Sequence, residues 1–225
     1  MYLFKNIKFA FLWTLLTFML ALLLINNTLL YFYPNVQVMF LLEKGALADW
    51  TLWRGAFYFH IVSSCMVLLV GFPLFFPTLL KYRKLHRWLG YIYFNGVLWF
   101  AAPSGLILAP FAKGGLMGAT GFLLTGIFWW FCTWRGYTAI RDRQVNKHIQ
   151  WMVRSWCLSL SAVSFRILHV AFDLIQMDPI GNYVLSIWLS LLINALLAEL
   201  FIARNFNLES SNNQNRSYMS PDFQP

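Results

Sequence analysis

Four histidines and one deep arginine are the side chains of this sequence with the most chemistry to offer. His60, His86, His148 and His169 each lie within or at the edge of a long apolar block. A neutral imidazole near physiological pH shuttles protons or donates a lone pair to a metal. Two imidazoles from facing helices at one depth are the axial ligand set of a b-type haem. At about 1.5 Å of rise per helical residue, His60 pairs by level with His169 and His86 with His148. Arg166 lies inside the block 151–172, where a charge costs roughly 2.5–3.5 kcal/mol at the centre of a bilayer. Its compensation is expected from Glu199, from Asp173, or from an anionic group on a ligand.

The elements that position these groups follow from composition. Hydrophobic residues make up 60% of the 225 and charged residues 11%, against about 25% charged in an ordinary soluble domain. The apolar residues are gathered into six blocks, 9–33, 53–80, 88–108, 116–134, 151–172 and 183–202, each near the length of about 20 residues that spans a bilayer. Trp and Tyr at many block ends suit the headgroup level. Short connections make neighbouring helices antiparallel. The expected architecture is therefore an all-α integral membrane bundle of six transmembrane helices, 1–204. A polar, Asn- and Ser-rich stretch, 205–225, reads as a disordered tail.

Lys and Arg alternate between the connections. Lys5 and Lys8 precede the first block; Lys81, Arg83, Lys84 and Arg87 follow the second; Arg135, Arg141, Arg143 and Lys147 follow the fourth; Arg204 and Arg216 follow the sixth. The other connections carry only Lys44, Arg54 and Lys113, beside Glu43, Asp49, Asp173 and Asp178. This bias predicts cytoplasmic N- and C-termini in a cytoplasmic membrane. The formal charge of +9 is thus a topology signal, and its division among loops argues against nucleic acid as a partner. The first block is too long for a signal peptide and lacks a small-residue cleavage site, so an uncleaved first helix is expected. Cys65, Cys132 and Cys157 are too scattered for a zinc or CxxC pattern and read as small apolar residues.

On a wheel of about 100° per residue, Ser155, Ser159, Arg166 and Asp173 fall within about 20° of His148, with Met152 and His169 close by. One face of the fifth helix therefore carries most of its polar groups. Arg154 falls off that stripe and is expected to reach the cytoplasmic interface by snorkelling. His60 and Ser64 share a face on the second helix, as do His86, Gly90, Tyr93 and Ser104 on the third. The inference is a core of helices two to five with a polar interior, helices one and six being more peripheral.

The run LHRWLGYIY (85–93), the later HIQWMVRS (148–155), Arg166, His60 and the pairs Gly114-Gly115 and Gly121-Phe122 resemble a family of predicted prokaryotic membrane proteins, domain of unknown function 2306. The resemblance runs from about the second helix to the sixth and does not take in His169. It implies a multi-helix membrane fold and singles out these motifs, without implying an activity.

Two functional readings follow. In the first, the polar interior binds or carries a small molecule, a proton or an anion, with His60, His86, His148, His169, Arg166 and Tyr93 as ligand-binding candidates. Arg87, Trp151, Arg154, Ser155, Asp173 and Glu199 would support them. The alternative is a transmembrane electron-transfer protein holding haem b between paired histidines of helices two, three and five, which needs a redox partner. The same residues also admit a purely structural role, as headgroup contacts and helix-to-helix ties. No phosphate loop, nucleophile elbow or HExxH zinc helix assigns a catalytic residue.

Overall fold

The computed structural model describes Leu22, Asn26 and residues 28–33 and 39–218. Most of the first apolar block, 9–33, and residues 219–225 lie outside the described residues. Among the described residues, five helices are long and apolar enough to cross a membrane. They are α1 (Thr51–Phe75), α2 (Arg83–Phe111), α3 (Gly115–Arg141), α4 (Val145–Leu174) and α5 (Pro179–Phe206), which correspond to the second to sixth apolar blocks. Among the described residues there is no strand.

Hydropathy locates the spans, but backbone chemistry sets their ends. α1 tightens into a 3-10 turn at Phe72–Phe75, where Pro73 cannot continue the α-helical bonding. It stops short of residue 80, and Pro77–Leu80 forms a separate short helix. α2 and α4 instead start earlier than their apolar blocks, at Arg83 and Val145, so His86 and His148 each sit in the first turn of a helix. Gly114, at φ 86°, makes the left-handed turn into α3 that a side chain would oppose. The last helix continues to Tyr218, through a segment whose composition is that expected of a disordered tail.

Consecutive helices are antiparallel neighbours. α1 packs on α2, α2 on α3, α3 on α4, and α5 lies against both α3 and α4. The sixth block is therefore not peripheral. Asn182, Ser186, Ser190, Asn194 and Ala198 recur every four residues on α5, all buried. Small and polar side chains in that register let two backbones approach in a setting where lipid supplies no hydrophobic drive. Asn182 Nδ2 donates to the His169 carbonyl at 3.1 Å, and Asn194 Nδ2 donates to Ser164 Oγ at 2.8 Å, both on α4. Outward-facing residues are large and apolar; Trp99 is 67% and Leu196 59% exposed, which suits a surface met by lipid.

Two helices are irregular where they meet the polar interior. In α2 the stretch Gly96–Ala101 is a π-helix, ending two residues before Pro103. A proline lacks the N–H that would bond the preceding turn, and π-bulges commonly accompany functional sites. α4 breaks at Leu160 between two regular halves, Val145–Ser159 and Ser161–Leu174. There Ser159 Oγ donates to the Trp156 carbonyl at 2.7 Å, a local bond that competes with the helical ladder.

Candidate functional site

The polar groups fall into three layers along the bundle: a basic end bearing the first turns of α2 and α4, a sealed centre, and a far end. At the far end, His60 on α1 lies about 14 Å along its helix from Thr51, and Arg166 on α4 about 12 Å along its helix from Leu174, at about 1.5 Å per residue. The two share a depth. His60 Nδ1 donates to the Ala101 carbonyl at 2.9 Å, a carbonyl of the π-helical stretch of α2. A carbonyl oxygen only accepts, so Nδ1 carries the proton and Nε2 of a neutral ring keeps a free lone pair. Gly105 makes room for the ring: a Cβ there would stand 2.8 Å from His60 Cε1.

Arg166 is exposed, yet protein groups surround it. Its Nη1 donates to the Ala162 carbonyl of its own helix at 3.0 Å. Tyr31, Tyr183, Cys65 and His60 lie within its electrostatic reach. The guanidinium is thus exposed at the far end with polar groups of neighbouring elements near it. Among the described residues no carboxylate pairs with it. Among the described residues Glu199 binds Arg154, with Nε–Oε1 2.5 Å and Nη2–Oε2 2.8 Å. Glu43 faces Lys113 at 3.7 Å and Asp49 faces Arg54 at 3.1 Å. Asp178 accepts from the Gly181 N–H at 2.7 Å, and Asp173 is exposed and forms no ion pair with Arg166. The expectation that Glu199 or Asp173 neutralises Arg166 is therefore corrected. Arg154 makes a two-point bond to Glu199 and lies over the Trp151 ring at 4.7 Å.

A short segment covers the far end. Met39–Lys44 and Gly45–Asp49 are two consecutive helical turns. Phe40 stacks on Phe57 and Trp53 of α1, with centroids 5.5 and 6.3 Å apart. Lys44 Nζ donates to the Phe111 carbonyl at the end of α2, at 2.6 Å. Burial there pushes the Lys44 amine below the ordinary lysine range, with Glu43 opposing the shift.

The expected outer pair of histidines is not brought together. His60 turns to α2, whereas His169 turns to α5, its Nδ1 2.8 Å from Asn182 Oδ1 and its ring stacked on Phe165 at 5.7 Å. A haem bridging His60 and His169 does not fit these orientations. His86 and His148 do approach, lying within electrostatic reach of each other at the basic end. Arg87 nearby is exposed.

The centre is closed by a run of hydroxyls. Tyr93, Ser155 and Thr133 are each fully buried. Ser155 Oγ lies 2.8 Å from Tyr93 Oη and 2.7 Å from Thr133 Oγ1. Thr133 donates to the Trp129 carbonyl at 2.8 Å, and a hydroxyl has one proton to give. Ser155 must then donate to Thr133, and Tyr93 to Ser155. Thus Tyr93 and Ser155 tie α2, α3 and α4 together rather than line an open site. Sequence reasoning missed Thr133, and also the α5 stripe, whose signal was the four-residue recurrence of Asn and Ser from Asn182 to Asn194.

Five apolar helices, an outward apolar surface and a buried polar interior define a multi-pass α-helical membrane protein. Within that class, the chain belongs to the family described as predicted membrane protein (DUF2306), which matches residues 57–202, well over half of its length. The match runs from Phe57 on α1 to Ile202 on α5 and includes both ends of the polar interior. No curated protein and no solved structure matches the chain.

Proposed function

We propose that this protein binds a small anionic molecule at the far end, with Arg166 as the countercharge. Arg166 carries the reading: it is a cation inside a membrane span, exposed, with no carboxylate paired to it among the described residues. Such a charge in a span is expensive unless a partner neutralises it. His60, Tyr31 and Tyr183 surround the guanidinium with groups able to hydrogen-bond an anion's oxygens. The segment 39–49, held by Lys44 and the aromatic stack, covers the entrance.

The alternation of Lys and Arg supports a sixth span at 9–33, both termini in the cytoplasm, the tail from 205 on that side, and the far end facing outward across the cytoplasmic membrane. The ligand then enters from outside, and the hydroxyl seal at Tyr93, Ser155 and Thr133 stands between it and the cytoplasm. Carriage across the membrane requires that seal to open.

The test is thermal unfolding of the protein in lipid nanodiscs, in low-salt buffer, with phosphate, sulfate, acetate or succinate added singly. A ligand at 100 times its Kd stabilises by about 2.7 kcal/mol. At least one anion is expected to raise the melting temperature, with the effect lost in Arg166→Leu and partly kept in Arg166→Lys. If no anion shifts the wild type, or if the shift survives Arg166→Leu unchanged, the reading is overturned.

A further inference from the structure

At the opposite end of the bundle, an independent set of residues forms a second site. We propose that His86 and His148 are the two axial ligands of a haem b held between α2 and α4 at the basic end.

The argument starts from the two rings. Each histidine is the fourth residue of its helix, and both helices begin at the same end of the bundle, so the rings share one level. His148 Nδ1 donates to the Gly136 carbonyl at 2.8 Å. That bond fixes the tautomer and leaves the Nε2 lone pair unprotonated, the state in which an imidazole ligates a metal. Gly136 is locked against Met152, since a Cβ there would stand 2.6 Å from Met152 Sδ. The carbonyl that aims His148 is therefore fixed by the α3–α4 contact. His86 presents the complementary defect: its Nδ1 is buried and has no hydrogen-bond partner among the described residues. With no bond on Nδ1 to fix the tautomer, the His86 ring can carry its proton there and offer the Nε2 lone pair to iron.

The surroundings choose the class of ligand. No group of three or more His, Cys, Asp or Glu that could hold a metal ion occurs among the described residues. A bare zinc ion asks for three or four protein ligands. Haem iron brings four nitrogens of its own and asks the protein for two. A macrocycle also needs a slot. Gly90, one turn beyond His86 on the same face of α2, has nothing within 4 Å of the position its Cβ would occupy. Tyr93, a further turn along, is fully buried with its hydroxyl committed to Ser155, so the open space at Gly90 does not extend past that level. At the rim, Arg83, Arg87 and Lys147 are exposed, and the N-termini of two helices add positive potential there. Propionate carboxylates have a place to go. The far-end pair has no such arrangement, because His169 is turned to Asn182.

The experiment uses the full chain purified in mild detergent without haem, titrated with hemin and followed by its visible spectrum before and after dithionite. The expected result is near-equimolar uptake with the sharp reduced bands of a six-coordinate haem. His86→Ala and His148→Ala should each abolish that low-spin spectrum, while His169→Ala should keep it. Gly90→Leu fills the slot without touching a ligand and should lower hemin affinity at least tenfold in a chain that stays helical and monodisperse. The proposal is overturned if the folded wild type takes up no hemin beyond an empty-micelle control. Equal uptake by the two alanine variants would also overturn it. So would stoichiometric zinc or copper in metal analysis with no haem spectrum after titration.

Discussion

Arg154 and Arg166 are twelve residues apart on one helix and are treated in opposite ways. Arg154 is neutralised by Glu199 through two hydrogen bonds and lies on the Trp151 face; Arg166 has, among the described residues, a carbonyl of its own helix and no ion pair. The Arg154–Glu199 pair is partly open to its surroundings, so its contribution is modest, roughly 1 kcal/mol. Glu199→Gln keeps the shape and removes the charge. It is expected to lower the melting temperature by a few degrees, and Arg154→Met in the Glu199→Gln background should recover part of the loss. Equal losses that simply add in the double variant would refute a direct coupling. The helical wheel of α4 showed Arg154 pointing away from the polar stripe. It gave a direction without naming the neighbour found there, and the lone carboxylate of the last span was therefore assigned to the wrong arginine.

At the scale of elements, the seam between α4 and α5 makes the clearest demand. Ser186 and Ser190 are fully buried, and Ser186 Oγ donates to Asn182 Oδ1 at 3.1 Å. Replacing Ser186 by Leu forces extra volume between two closely packed backbones, an overpacking that costs about 1–3 kcal/mol. Ser186→Ala should be far milder. Unfolding in detergent, followed by tryptophan fluorescence, separates the two; similar midpoints for both would show that close approach is not what the serines secure. A second demand comes from α2. Gly105→Val would place atoms where His60 now lies, and the anion-dependent stabilisation at Arg166 is expected to fall even though Arg166 itself is untouched. Unchanged stabilisation in a folded Gly105→Val variant would separate His60 from the anion site.

These element-level features were unevenly legible in the sequence. Helix positions were readable because lipid rewards long apolar runs; Tyr93 is buried, His60, His86 and His148 are half-buried, and Arg166 is exposed. The break at Leu160 was not readable, since no proline or glycine marks it and the serines around it are common in regular helices. The wheel treated α4 as one straight rod. That is why His60 and His169 were paired by depth when their rings face different helices. The π-helical stretch of α2 had a visible trigger in Pro103, but a proline says only that a bond is missing, not which side chain will use the freed carbonyls.

For the whole molecule, the arrangement of charge sets the insertion. Basic residues collect at the end where α2 and α4 begin, and the far end holds Lys44, Arg54 and Lys113 in company with Glu43 and Asp49. Single cysteines placed at Asp142 and at Met177, in a background without Cys65, Cys132 and Cys157, should react with an impermeant maleimide from opposite sides of intact cells. Met177 is expected to label from outside. Labelling of Asp142→Cys from outside instead would invert the bundle and turn Arg166 toward the cytoplasm.

The direction of the hydroxyl run at the centre has a consequence for the membrane as a whole. A proton hops along hydroxyls only if the last one can hand it to a group that releases it again. Here the last acceptor is the Trp129 main-chain carbonyl, which holds no proton to pass on. The run is a dead end for proton hopping and does not link the two ends of the bundle. A bundle that carries polar side chains near both ends can therefore sit in an energised membrane without leaking protons along this path.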